Sequence, residues 1–354
     1  MEKEKQSECY STGQSAQERG LSHVPECYQV PPSQRSSLNS PIAQVPVIDV
    51  SGLRMGPSKR SAVVNSVGRA CCCLGFFQVI NHGIEQSILE RALAAADEFF
   101  QLPADEKMKF MSADVHKSVR YATSLRDGID KIQYWRVFLK HYANPLEDWI
   151  QKWPKSPPNY REDMGSYSAE VHKLAMELAS AITESLGLGP SYLKDELNGG
   201  MQVIASNLYP PCPQPHLTLG LPPHSDYSCL TILLQSSPGL EIKDMEDGGS
   251  WKLVPHLDGA LQVLIGDHFE VLSNGVYRSV VHRAILNSEK TRMSIASLHS
   301  MGLNDIMESA NDLVDEDHPK AYKPSSFTDF LNFLSTNDLG QGKISFLDTL
   351  KLEN

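Results

Sequence analysis

At 354 residues the chain can form one large domain or two average ones, and 41% hydrophobic with 21% charged residues suits a globular protein with a sizeable core. A net charge of -11 excludes the basic footprint of a nucleic-acid binder. No apolar run reaches the roughly 18 residues needed to cross a bilayer, and MEKEKQSECYSTGQ at the start lacks the apolar core of a secretory signal.

Residues 1 to 40, rich in Ser, Gln, Glu and Pro, are expected to form a partly flexible arm. VPVIDVSGL (45 to 53) reads as a first short strand, and Ser58 is placed to cap a helix running to about Leu74. Cys71, Cys72 and Cys73 in that helix point about 100° apart, so they read as small hydrophobes rather than a shared ion site. Seven cysteines without framework spacing point to reduced thiols in the cytoplasm. GFFQVINHG (75 to 83) has the makeup of a buried strand, and a second helix runs from there to about Phe100, stopping near Pro103. Residues 104 to 160 read as irregular and aromatic, with Trp135 and Trp153 as packing residues. Helical periodicity then spans about Ser166 to Leu186, ending at Gly187 and Gly189.

From Met201 to about Leu298 the texture changes to short apolar runs: MQVIASNLY, LTILLQ, GLEIKDM, WKLVPH, ALQVLIGD and YRSVVHRAIL. Breakers such as EDGGS and SNG separate them, which predicts an antiparallel barrel or jelly roll. SSFTDFLNFLSTN near the C-terminus reads as a closing helix. The expected class is α+β, with an arm over 1–40, a mainly helical region over 41–200, the β core over 201–300 and a helical segment over 301–354.

HSDYSCLTILLQ (224 to 235) puts two ionisable groups at the mouth of an apolar run. On a strand His224 and Asp226 share a face, and a buried carboxylate needs a partner or a cation. An ion pair, a protonation dyad and a metal site all satisfy that need. A third candidate, His282, lies in YRSVVHRAIL, and two histidines with one carboxylate form the facial set that suits non-haem Fe(II). TRMSIAS adds Arg292 and Ser294, two apart on a strand and facing one way, and Tyr209 in NLYPPCPQP supplies a phenol. A buried arginine implies an anion, and its planar fork suits a carboxylate, so the set predicts a small dicarboxylate beside a metal. His82, His141 and His268 read instead as structural histidines.

In that order and spacing, NLYPPCPQP, GLPPHSD, SNGVYRSVVHR and TRMS closely resemble the plant 2-oxoglutarate- and Fe(II)-dependent dioxygenases of specialised metabolism, flavonoid-oxidising members included. VPVIDVSGL and GFFQVINHG are similar to that family's opening region. The resemblance implies a double-stranded β-helix, with Fe(II) on His224, Asp226 and His282. It implies 2-oxoglutarate on Arg292 and Ser294, positioned by Tyr209 and Asn207, with O2 as cosubstrate and ascorbate as reductant. The implied reaction is hydroxylation, desaturation or O-demethylation at a C–H bond of an aromatic, flavonoid-like metabolite, carried out by a cytoplasmic monomer without nucleic-acid or membrane partners. The implied substrate pocket is Tyr121, Phe138, Lys140, Ala205, Leu298 and Ser300. Flavonoid-oxidising members tend to carry lysine where Ala205 stands, and an aromatic and an acidic residue where Leu298 and Ser300 stand. A zinc hydrolase is the competing enzyme class, but it leaves Arg292 and Ser294 unexplained and lacks a glutamate beside the ligand pair as general base. A non-catalytic small-molecule-binding relic of the fold is the other alternative, and it has no use for an intact triad.

Overall fold

The computed structural model describes residues 19–37, 39–123, 130, 132–337 and 345–353. Two sheets form the core. The large one has eight strands in the order β1-β2-β10-β7-β12-β5-β4-β3, and the small one has four in the order β6-β11-β8-β9. The strands are β1 Val47–Asp49, β2 Phe76–Ile80, β3 Val119–Ala122, β4 Val137–Asn144, β5 Met201–Tyr209, β6 Leu221–His224 and β7 Leu230–Gln235. They continue as β8 Leu240–Asp244, β9 Ser250–Leu253, β10 Leu261–Ile265, β11 His282–Ala284 and β12 Arg292–Ser300. All pairings except β1 with β2 are antiparallel. This is the double-stranded β-helix with added strands and helices.

The helices that matter for the site are α1 Pro57–Cys73, α2 Gln86–Phe100, α3 Tyr160–Ser185, α4 Asp267–Leu272, α5 Phe327–Thr336 and α6 Phe346–Leu350. α2 and α3 pack together and onto β5 and β12, so the large sheet is covered on one face. Every residue of β7 and β10 is buried, as expected of strands covered on both sides. The other face of the large sheet looks toward the small sheet and the cavity between them. Alternation along β12 therefore sorts its side chains. Ser297 accepts from Gln202, itself bonded to α3 at Ser168, while Ala296 and Leu298 line the cavity.

Several expectations need correction. Residues 104–160 contain two strands, β3 and β4, joined to the core through β5. Their apolar pattern is interrupted by Lys140 and His141, which the two covered faces accommodate separately. α3 starts six residues before Ser166, because Tyr160 and Met164 are also buried. Ser58 lies inside α1, whose N-cap is Gly56 with Pro57 at the first position. Of the cysteine run, only Cys71 is buried, and Cys72 and Cys73 are exposed. Cys27, packed against the Tyr28–Trp135 cluster, is disulfide-bonded, so the expectation of reduced thiols fails there.

The described part of the arm is pinned rather than loose. Val24 N–H donates to Gln214 Oε1 at 2.9 Å, Val30 N–H to Leu217 O at 3.0 Å, and Tyr28 packs edge-on against Trp135. Residues 1–18 lie outside the described residues. The closing helix α5 is bounded by a capping box: Asp329 N–H donates to Ser326 Oγ, and Ser326 N–H donates back to Asp329 Oδ2.

Candidate metal centre and adjoining cavity

β6 and β11 pair so that His224 and His282 stand directly opposite each other, with ring centroids 4.1 Å apart. Asp226 is not on the strand with His224. β6 ends at His224, and Asp226 occupies the irregular turn after it. Asp267, at the start of α4, holds that turn. Its N–H donates to Asp226 O at 2.8 Å, and its carboxylate accepts from Ser225 and, at 2.6 Å, from Ser279 Oγ. One buried carboxyl thus ties the segment carrying Asp226 to the segment leading into His282. Asp226 Oδ1 lies 3.5 Å from His224 Nε2 and 3.7 Å from His282 Nε2, and one donor atom from each residue falls within 4.8 Å of the other two.

Both rings turn their second nitrogen to a backbone carbonyl: His224 Nδ1 is 2.8 Å from Pro222 O, and His282 Nδ1 is 3.1 Å from Val280 O. Donation from Nδ1 fixes the tautomer and leaves the Nε2 lone pair facing Asp226, as a metal-ligating histidine requires. Burial, and then the neighbouring His282, push the His224 pKa down to about 4, so this ring is neutral and able to ligate at neutral pH. Two imidazoles and one carboxylate leave room for three further ligands on an octahedral ion.

The predicted anion site is assembled by register. On β12 and β5, Arg292 is the direct partner of Tyr209, and Ser294 of Asn207. Arg292 is buried at 2% exposure, with Nε donating to Ser237 O at 3.2 Å and Nη2 to Gln235 Oε1 at 3.0 Å. Tyr209 lies against it, its ring centroid 5.0 Å from Cζ. Nη1 is buried with no hydrogen-bond acceptor among the described residues. Burial pulls the Arg292 pKa below its usual value, with the neighbouring Tyr209 phenol opposing the shift, as expected of a cation that lacks a full anion. Gly239, at φ 144°, makes the fit possible, since a Cβ there would stand 2.6 Å from Arg292 Cδ. Asn207 is already engaged, accepting from Arg136 Nη1 at 2.7 Å and donating to Ala205 O at 3.1 Å.

A cavity of about 610 Å³ opens beside His224 and Asp226. Of the six predicted pocket residues, Phe138, Lys140, Ala205 and Leu298 line it. Tyr121 does not. It alternates with Arg120 on β3, faces the helices and packs edge-on against Phe99 of α2. Ser300 shares the parity of Leu298 but sits buried at the end of β12, away from the cavity. Arg292, Ser294 and Tyr209 are not part of its lining either, and lie at the opposite end of β5 and β12 from Ser300. Missed by the sequence reading were Arg120, Arg136 and Asp267, and the facing wall of Phe327, Phe330, Phe333 and Phe346 from α5 and α6. The alternation Arg136, Phe138, Lys140 was the available signal for one of them. In the fold Arg136 and Arg120 flank the Phe138 ring, with Cζ 4.5 and 5.2 Å from its centroid.

The other histidines meet structural partners. His82 Nε2 is 3.0 Å from Gly259 O, and His141 Nε2 is 2.9 Å from Tyr160 Oη with its ring against Trp153. His268 sits by Cys229 Sγ at 3.8 Å. Trp153 Nε1 donates to Tyr142 O and Trp135 Nε1 to Pro211 O, so both indoles pack within the protein.

Comparison with known proteins follows the same lines. Residues 199–300 match the model of the 2OG-Fe(II) oxygenase superfamily, and residues 45–160 match that of the non-haem dioxygenase in morphine synthesis N-terminal region. The chain is 51% identical to the rice 2-oxoglutarate-dependent dioxygenase 21, chloroplastic, over 83% of itself and 87% of that relative. It is 46% identical to rice flavanone 3-dioxygenase 3, covering 91% of this chain and 98% of the relative. A crystal structure of JOX2 in complex with 2OG, Fe and JA superposes with a TM-score of 0.79 at 30% identity, covering 96% of this chain and 97% of that one. No helix among the described residues is long and apolar enough to cross a membrane.

Proposed function

The chain belongs to the 2OG-Fe(II) oxygenase superfamily and is a 2-oxoglutarate-dependent dioxygenase, and on that premise we propose that His224, Asp226 and His282 hold its Fe(II) while Arg292 and Ser294 bind the distal carboxylate of 2-oxoglutarate. The observation that carries the assignment is the buried Arg292 with its Nη1 lacking an acceptor, on the large sheet, in a chain whose small sheet carries a convergent His-Asp-His set. Fe(II) held by His224, Asp226 and His282 would supply the chemistry that couples oxidative decarboxylation of 2-oxoglutarate, to succinate and carbon dioxide, to oxidation of a C–H bond by O2. The chain's own groups do the rest. The Nδ1 donors keep both imidazoles oriented, Asp267 holds the Asp226 turn, and Tyr209 and Asn207 shape the cosubstrate side. Phe138 and the aromatic wall of α5 and α6 hold the organic substrate in the cavity beside His224 and Asp226. A relative is a flavanone dioxygenase and a structural neighbour was crystallised with JA. A ring-bearing, largely apolar metabolite that fills the aromatic-walled cavity of about 610 Å³ therefore fits best. A cytoplasmic monomer acting on free small molecules is the corresponding physiological reading. The chloroplastic name of one rice relative makes cell fractionation its check.

The direct test offers a library of plant phenolics and acids to purified protein with Fe(II), ascorbate and 2-oxoglutarate, and reads succinate. Substrate-dependent succinate supports the reading, and hydrolysis without 2-oxoglutarate would sink it.

Two substitutions probe the cavity and the anion site. Phe138→Ala removes the ring between two guanidinium groups, so the oxidised product is expected to become a mixture of positional isomers by chromatography, with KM raised roughly tenfold. Gly239→Ala forces its Cβ onto Arg292. It is expected to raise the 2-oxoglutarate concentration for half-maximal turnover by about tenfold, while Mn(II) binding by calorimetry stays as in wild type.

A further inference from the structure

One register step along the sheet from the anion site stands a second cation, the half-buried Lys140. On the cavity face Phe138, Asn207 and Ser294 form one cross-strand row, and Lys140, Ala205 and Ala296 form the next. Two adjacent methyl groups leave space that larger side chains would fill, and the cavity reaches Lys140 at the end of that row. The ammonium donates to one backbone acceptor, Val115 O at 2.8 Å. No carboxylate among the described residues pairs with it. Its nearest charges are Arg120, its direct partner on β3, and Asp114, while Arg136, Asp130 and Asp348 line the same cavity; the Tyr142 ring lies 5.4 Å from Nζ. Burial, reinforced by Arg120, pulls its pKa down to about 7. A lysine held this way costs stability unless an anion meets it. Across the cavity stand Phe330, Phe333 and Phe346. A cation on one wall and aromatic rings on the other suit an anionic group attached to an apolar body.

We infer that Lys140 anchors the carboxylate of the organic substrate, so that the substrate class is a small aromatic or alicyclic carboxylic acid. This rests on the dioxygenase reading. The charged end lies on β4, and the apolar body spans the alanine trough toward His224 and Asp226.

The test compares carboxylic acids of that class with their primary amides, using full-length protein with Fe(II), ascorbate and 2-oxoglutarate and reading succinate. In wild type the acids should be preferred in KM by roughly 10- to 100-fold, as expected of one charge-assisted contact. Lys140→Met should erase the preference, and Lys140→Arg, which keeps the charge, should restore part of it. The melting temperature of Lys140→Met without substrate should rise, because a half-buried ammonium without a carboxylate partner is replaced by an apolar chain of similar length. Titration with 2-oxoglutarate and Mn(II) shows that the variants are folded. Equal KM for acid and amide, a response to phenols but to no acid, or an acid preference that survives in Lys140→Met overturns the anchor. Wild-type protein that consumes no 2-oxoglutarate under any condition overturns the dioxygenase assignment and the anchor with it.

Discussion

Alanine at His224, Asp226 or His282 is expected to reduce 2-oxoglutarate turnover to background in each case. The three donor atoms lie within 4.8 Å of one another, and with any one gone the remaining two cannot hold a divalent ion against water. Prolonged treatment of the wild type with a chelator should give the same loss, reversed by adding Fe(II) back. The surface variant His256→Gln serves as control, because that ring pairs with exposed Asp258 and not with the triad. Asp226→Glu is the finer measurement. Asp226 sits on a turn whose backbone is held by Asp267, so the longer side chain cannot be absorbed by sliding a strand. Metal affinity should fall while the fold, followed by its melting curve, is retained. Iron-dependent turnover in an alanine variant would show that the ligand has been misassigned.

The parts of this molecule that were legible in sequence are those whose signal is local. MQVIASNLY and LTILLQ match β5 and β7 residue for residue, because an apolar run bounded by turn residues has few alternatives to a buried strand. The spacing of Arg292 and Ser294 placed both on one face, and their partners Tyr209 and Asn207 follow from antiparallel register once β5 and β12 are paired. What escaped depends on contacts distant in sequence. VFLKHYAN is β4, yet Lys140 and His141 make it read as irregular. Only the fold supplies the cavity that takes Lys140 and the Trp153–Tyr160 pair that encloses His141. The described part of the arm, residues 19–37, looked loose because its anchors, Gln214, Leu217 and Trp135, lie far along the chain. Tyr121 was misplaced by one position in the alternation: Arg120 occupies the cavity face and Tyr121 the helix face. The closing helix was visible as a helix, but nothing in its sequence said that Phe330 and Phe333 would cover the cavity.

Arg292→Lys is expected to raise the 2-oxoglutarate requirement by roughly 10- to 100-fold, the equivalent of one charge-assisted hydrogen bond at about 1.5–3 kcal/mol. The geometry explains why charge alone is insufficient. Arg292 divides its donors, with Nε on Ser237 O, Nη2 on Gln235 Oε1 and Nη1 left over for a ligand. The first two bonds hold the guanidinium plane while the third direction stays available, which a rigid fork can do. A lysine has one nitrogen on a flexible stem. It would either reach the carboxylate and leave buried Gln235 unsatisfied, or remain on Gln235 and miss the ligand. Ser294→Ala removes a single neutral hydroxyl, so its effect should be smaller, about two- to tenfold for 0.5–1.5 kcal/mol. Both variants should bind Mn(II) as wild type does, since neither contacts the three donors, and this separates loss of cosubstrate from loss of metal. An unchanged 2-oxoglutarate requirement in Arg292→Lys would mean that the distal carboxylate is held elsewhere, and the unfilled Nη1 would then need a different anion.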